Sequence, residues 1–159
     1  ASSAASDVYK RQLYESSNLN AYPAIQLGID ILVENSLSGT LIKNCISCNN
    51  DTSHYESISF EYPPKVLTIL LNRFEFLQHS RKLKTNVTIN KHLTFNSDLY
   101  DLVGVIEHHG NTLSAGHYTS RLYYPDAAYN CDDHNISNFN HSIVLNSQKA
   151  YITFYIRNS

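Results

Sequence analysis

No apolar run in this chain is long enough to cross a bilayer. The longest, such as Val66–Leu71, extend six residues, where a spanning helix needs about 20. A basic start leading into an apolar centre is also missing, so neither a secretory signal peptide nor a membrane role is expected. Neither sign of charge dominates: 12 basic against 14 acidic residues leave a net charge of -2. With no basic stripe to neutralise phosphates, nucleic acid is not an expected partner. Internal repeats are lacking. Cysteine is scarce, at three residues. Without a signal peptide, that number points to a reducing, intracellular compartment, cytoplasm or nucleus.

What remains is a chain of 159 residues, 42% hydrophobic, sufficient to bury one core. Its ends differ in character. Ser2–Gln12 reads SSAASDVYKRQ and resembles the in-frame translation of a transposase adapter used in sequencing-library preparation. Residues 1–12 are therefore set apart as an artefact of processing, and residues 13–157 are taken as the C-terminal portion of a domain. Leu13–Pro23, polar and rich in Ser and Asn, is expected to be a loop.

Short β-branched and aromatic runs recur along the rest of the chain. Ile25, Leu27, Ile29 and Ile31 alternate at period two, as do Ile58, Phe60 and Tyr62, and both patterns predict half-buried strands. Ser36–Lys43 is assigned a short helix, with Ser36 or Ser38 as its cap. Val66–Phe76 follows Pro63-Pro64, is apolar on both faces, and is expected to be a central strand. Further strands are expected at Asn86–Ile89, Tyr100–His108, His117–Tyr124, Ala127–Cys131 and Tyr151–Arg157. The fold class is α+β, mainly antiparallel β with minor helix.

Two of these strands carry a base and an acid. His117 opens one, and Asp132 closes the next. A hairpin turning at Tyr124-Pro125-Asp126 sets the two residues opposite each other, where Cβ atoms are about 5 Å apart. A carboxylate at that distance can orient an imidazole as a general base. A thiol hydrolase needs such a base to take the proton of its cysteine. His–Asp pairs on neighbouring strands are also common structural features, so the pair alone leaves both readings open.

Five segments in order carry a family resemblance. These are Pro64-Lys65-Val66-Leu67-Thr68-Ile69-Leu70-Leu71-Asn72-Arg73-Phe74, the strand ending in His108-His109-Gly110, Gly116-His117-Tyr118-Thr119-Ser120, Tyr129-Asn130-Cys131-Asp132-Asp133, and Ala150–Arg157. Together, from about Leu41 to Arg157, they resemble the catalytic domain of the ubiquitin-specific proteases. That resemblance implies a papain-like cysteine-protease fold, here its palm and part of its fingers without the helical thumb. The implied activity is hydrolysis of the bond after ubiquitin's C-terminal glycine, with ubiquitin and ubiquitinated proteins as partners and no cofactor in the chemistry. It makes His117 the general base and Asp132 its orienting acid, with Asp133 able to share that role. His108 and Tyr118 would line the channel that receives the ubiquitin tail.

The resemblance has gaps. Asn72 stands where Lys is usual, Tyr129 replaces a tryptophan, and Cys131 replaces a phenylalanine. The segment that bears the nucleophilic cysteine is not among these residues, so the chain as given is expected to be inactive. Cys45-Ile46-Ser47-Cys48 has the C-x-x-C spacing with which two thiolates grip one tetrahedral zinc, and is half of a four-ligand site. The resemblance implies that a second pair lies upstream. Unpaired cysteines in a degenerate finger are the alternative. Two other functions compete with hydrolysis: a non-catalytic ubiquitin-binding scaffold, and a zinc-binding β-rich interaction domain.

Overall fold

The computed structural model describes residues 27–76, 80–112, 114–140 and 145–159. The readings for residues 1–12 and 13–23 lie outside them. Among the described residues the chain is almost entirely antiparallel β, with one helix.

The organising element is a strand of twelve residues, β9 (Asp98–His109). It is entered from β8 (His92–Phe95) through Asn96-Ser97, both at positive φ, in register Phe95↔Asp98. A two-residue loop with both φ angles positive is the turn whose twist suits a hairpin, and Asn tolerates it well. The other long neighbour of β9 is β14 (Ala150–Arg157), which in turn pairs with β4 (Val66–Leu70). On the opposite side lie β10 (His117–Tyr123), β11 (Ala128–Asp132) and β12 (Asn135–Asn138). The sheet runs in the order β12-β11-β10-β9-β14-β4, with β8 also on β9.

A bulge decides which side chains β9 sends inward. Its register with β14 shifts between Phe154 and Tyr155, so the buried positions change parity from Tyr100 and Leu102 to Val105 and Glu107. The face that begins in the core at Val105 therefore carries Glu107 and then His109 towards the end of the strand.

A second sheet closes the core, in the order β1 (Leu27–Gly28), β7 (Val87–Ile89) and β13 (Leu145–Ser147), with β1 parallel to β7. Helix α1 (Ile29–Leu37) contributes Ile29 and Val33 to a cluster with Val87, Ile89, Leu93, Phe95, Tyr100, Leu102 and Tyr155. Each large apolar side chain buried there contributes about 1.5–3 kcal/mol.

Four of the sequence expectations are corrected. The period-two pattern from Ile25 to Ile31 is a strand only at Leu27–Gly28, Ile25 itself lying outside the described residues, and a helix starts at Ile29. Ile29, Leu32, Val33 and Leu37 also stand at helical spacing, and that period won because it seats them on the core. The helix expected at Ser36–Lys43 ends at Leu37, and Ser38–Asn44 is strand β2, paired with β3 (Asp51–Ser57) in an exposed hairpin. No strand forms over Ile58–Tyr62. Ile58 N–H bonds the Leu37 carbonyl at 2.6 Å, and Phe60 packs edge-on against Phe95.

Val66–Phe76 divides. Its first part, β4, lies at the end of the sheet path and leaves Val66 exposed, so it is not the central strand expected. Its last part, β5 (Phe74–Phe76), pairs instead with β6 (Ser80–Lys82). Between them the side chain of Arg73 turns inward and bonds backbone carbonyls, which a continuous strand would not provide.

Candidate active site

His117 is the first residue of β10 and is paired directly with His109, near the end of β9. The β10–β11 hairpin is registered through Tyr123↔Ala128 to Ser120↔Cys131. It turns over Tyr124–Ala127, where the Tyr124 N–H bonds the Ala127 carbonyl at 2.8 Å. Continued one step, that register sets Asp132 across from Thr119, two residues beyond the opposition to His117 expected from sequence. The pair still forms, along the diagonal: His117 Nε2 lies 2.5 Å from Asp132 Oδ1. Positions 117 and 119 share a face, and the twist of the sheet draws such diagonal neighbours together.

The same diagonal recurs twice on this face. His109 Nε2 lies 2.7 Å from Thr119 Oγ1, and Arg121 Nε donates to Glu107 Oε2 at 3.1 Å. Asp133 follows at positive φ in the turn to β12, and the polar atoms of His117, Asp132 and Asp133 all lie within 4.8 Å of one another.

A carboxylate only accepts hydrogen bonds, so the ring proton of neutral His117 sits on Nε2. Nδ1 bonds no described residue and keeps its lone pair. The hydrogen bond that His117 donates to Asp132 raises the His117 pKa above the ordinary imidazole value, opposed by partial desolvation and aided by the charges of Asp132 and Asp133. His117 and Asp132 are both about half exposed, so a proton can reach and leave the imidazole.

Behind this face His108 is buried, with 1% of its surface accessible. Its ring packs against Tyr118, Phe74 and Tyr151. Lys82 Nζ donates to the His108 carbonyl and stands 3.1 Å from Nδ1, which places the ring proton on Nε2. Burial, then the charges of Lys82 and His109, hold the His108 pKa below the usual value. Gly116 closes over the ring: a Cβ there would lie 2.2 Å from His108 Nε2. Tyr118 is 48% exposed and covers His108, so of the two expected channel residues it is the accessible one.

Sequence reasoning missed the buried polar frame under the site. The Arg73 guanidinium donates to the carbonyls of Ala150 (2.5 Å), Thr85 (2.7 Å), Ser147 (2.9 Å) and Leu83 (3.3 Å). Desolvation lowers its pKa to about 10, with Glu107 acting in the other direction. Ser147 Oγ donates to Glu107 Oε1 at 2.8 Å and accepts the N–H groups of Lys149 and Ala150. An arginine inside an otherwise apolar run was the available signal. For Thr119 the signal was its two-residue spacing from His117.

Cys45 and Cys48 lie in the turn that closes the β2–β3 hairpin. The backbone N–H groups of Cys48 and Ser47, with the Cys48 thiol, hydrogen-bond to the Cys45 sulfur and lower its pKa. Among the described residues no third Cys, His, Asp or Glu joins them in a cluster. Cys131, on β11 beside Asp132, is partly buried and unbridged. None of the three bonds His117 Nδ1.

The family model for ubiquitin carboxyl-terminal hydrolase matches residues 18–155. The chain belongs to this family. Among similar members, it is 31% identical over 121 residues to ubiquitin hydrolase B of Dictyostelium discoideum, matching 70% of this chain and 27% of that protein. To the probable ubiquitin carboxyl-terminal hydrolase 8 of Schizosaccharomyces pombe it is 30% identical over 152 residues, 84% of this chain and 32% of that protein. A solved SAGA DUB module bound to monoubiquitin is similar with a TM-score of 0.67 and 25% identity, over 84% of this chain and 35% of that one. A yeast SAGA DUBm structure matches with a TM-score of 0.68 at 24% identity and supports the fold. The chain thus spans roughly a third or less of the relatives it matches. In this family the strands described here form the palm and part of the fingers, without the helical thumb.

Proposed function

We propose that this chain is the base-and-acid half of a thiol-dependent deubiquitinase, which hydrolyses the peptide or isopeptide bond after ubiquitin's C-terminal glycine. One observation carries the reading: His117 donates from Nε2 to Asp132 and presents an unoccupied, basic Nδ1 at a half-exposed strand end. A cysteine thiol brought to Nδ1 loses its proton there, and the resulting imidazolium, held by Asp132, stabilises the thiolate. The thiolate attacks the carbonyl carbon of ubiquitin's terminal glycine, the imidazolium protonates the leaving amine as the C–N bond breaks, and His117 then activates the water that releases the acyl group. The three cysteines of this chain do not meet Nδ1, so the nucleophile belongs to another segment of the intact protein.

Ubiquitin is the partner, recognised over a broad face of sheet and hairpin, and ubiquitinated proteins are the substrates. Family membership and the monoubiquitin complex of the similar SAGA module support this. The site is intracellular on this reading. Cys45 and Cys48 fit half of a structural zinc site, since backbone N–H groups already favour the Cys45 thiolate. Zinc would fasten the hairpin tip and take no part in hydrolysis, which needs no cofactor.

The test is a titration of 15N-labelled ubiquitin with the chain. Selective shifts or broadening of ubiquitin's C-terminal residues support the proposal. An unchanged spectrum at high micromolar chain speaks against it.

A further inference from the structure

His109 takes no part in the chemistry just described, yet among the described residues its ring is the aromatic ring packed beside the base. The His109 and His117 centroids are 6.2 Å apart with planes inclined by 49°, and the two residues are directly paired across β9 and β10. His109 is itself fixed, with Nε2 2.7 Å from Thr119 Oγ1. Thr119 stands on the His117 face, one step along β10 towards Asp132. The half-exposed imidazole is therefore flanked by Asp132 on one side and by a tethered ring on the other.

We propose that His109 is a positioning residue for the base: braced by Thr119, it restricts the His117 ring to the orientation that bonds Asp132 and leaves Nδ1 free. This deepens the deubiquitinase reading and rests on it. Asp132 alone offers one hydrogen bond to a ring that can also turn towards solvent. A neighbouring ring that cannot move removes that second orientation by steric exclusion.

The charges around the pair allow this arrangement. His109 is faced by Lys149 from the β13–β14 turn, Lys82 from β6, Glu107 on its own strand and His117 from β10. His117 is faced by Asp132, Asp133 and His109. Burial first, then these cations, hold the His109 pKa below the ordinary value, whereas His117 is raised. As pH falls, His117 takes its proton first. His109 is then a neutral brace throughout the range in which the base works, and two adjacent imidazolium ions are avoided.

The test follows the His117 ring by NMR in the full chain, which needs neither the nucleophile nor ubiquitin. In His109→Ala the His117 pKa is expected to fall by about half a pH unit or more towards the ordinary value. Its downfield ring N–H resonance should be lost to solvent exchange. His109→Gln, which keeps bulk and a polar group within reach of Thr119, should restore both. Thr119→Val removes the tether without changing volume and should give the same changes in smaller measure, which also covers a failure of His109→Ala to fold. A His117 pKa that is unchanged or higher in these variants, with the N–H resonance intact, overturns the proposal. Loss of ubiquitin binding with the titration as expected would instead strike the functional reading and leave the positioning role standing.

Discussion

His117 and Asp132 are joined across 2.5 Å although the β10–β11 register sets Thr119, not His117, opposite the acid. The bond depends on a diagonal reach across a twisted sheet, so it is an orientation imposed by the fold and not a simple consequence of strand pairing. Its electrostatic consequence has a definite sign. The hydrogen bond raises the His117 pKa, so removing the acceptor lowers it. In Asp132→Asn the ring proton titrates at lower pH, as read from the Cε1–H chemical shift. An unchanged titration would mean that Asp133 or solvent supplies the effect. Because the folded-state pKa is raised, the small stabilisation from this pair is present below the ordinary imidazole pKa and fades as pH rises through the folded value.

Gly116 allows β10 to begin where it does. A Cβ would lie 2.2 Å from His108 Nε2 and 2.8 Å from the His109 carbonyl, and the His108 ring is packed on several sides. Gly116→Ala should therefore cost about 1–3 kcal/mol through overpacking and displace His117. A shift in the denaturation midpoint measures the first effect, and the His117 ring resonances report the second.

Arg73 satisfies four carbonyls from two separate segments of chain. Arg73→Ala removes these charge-assisted hydrogen bonds, each worth about 1.5–3 kcal/mol, so a clear loss of stability is expected. Arg73→Lys keeps the charge without the planar fork and should recover only part of this. Urea unfolding of both variants gives the comparison.

Ile89, fully buried on β7, tests the account of the core. Ile89→Ala should destabilise by about 2–5 kcal/mol. Ile156→Ala, at a position 39% exposed on β14, should cost much less. Similar losses at both positions in thermal melts would contradict the assignment of inner and outer faces.

The sequence and the structure agree best where pattern and packing share one period. β9, β10, β11 and β14 were legible because β-branched and aromatic runs sat between clear turns, and His117 and Asp132 were legible because the motifs around them are local. The region from Ile29 to Tyr62 was misread because its apolar residues satisfy two periods. Ile29 and Val33 choose a helix only when the core formed by β7, β9 and β14 is present to receive them. The bulge at Phe154/Tyr155 that switches β9 from Leu102 to Val105 leaves no local mark in sequence, yet it determines which side of the sheet bears Glu107 and His109. Register decided the rest of the site: a two-residue offset turned an opposed His–Asp pair into a diagonal one and brought Thr119 beside it. Burial of His108 beneath Tyr118 depends on packing from four separate segments, which no single motif reports.

The central claim is that His117 is the base of a deubiquitinating thiol hydrolase. Its most direct test is hydrolysis of ubiquitin carrying a C-terminal fluorogenic amide by the intact protein that contains this chain. We predict that His117→Ala lowers kcat/KM by about 10²–10⁴-fold, with the melting temperature and ubiquitin affinity near those of the unsubstituted protein. Hydrolysis that persists undiminished in His117→Ala would contradict the account and leave the His117–Asp132 pair a structural contact.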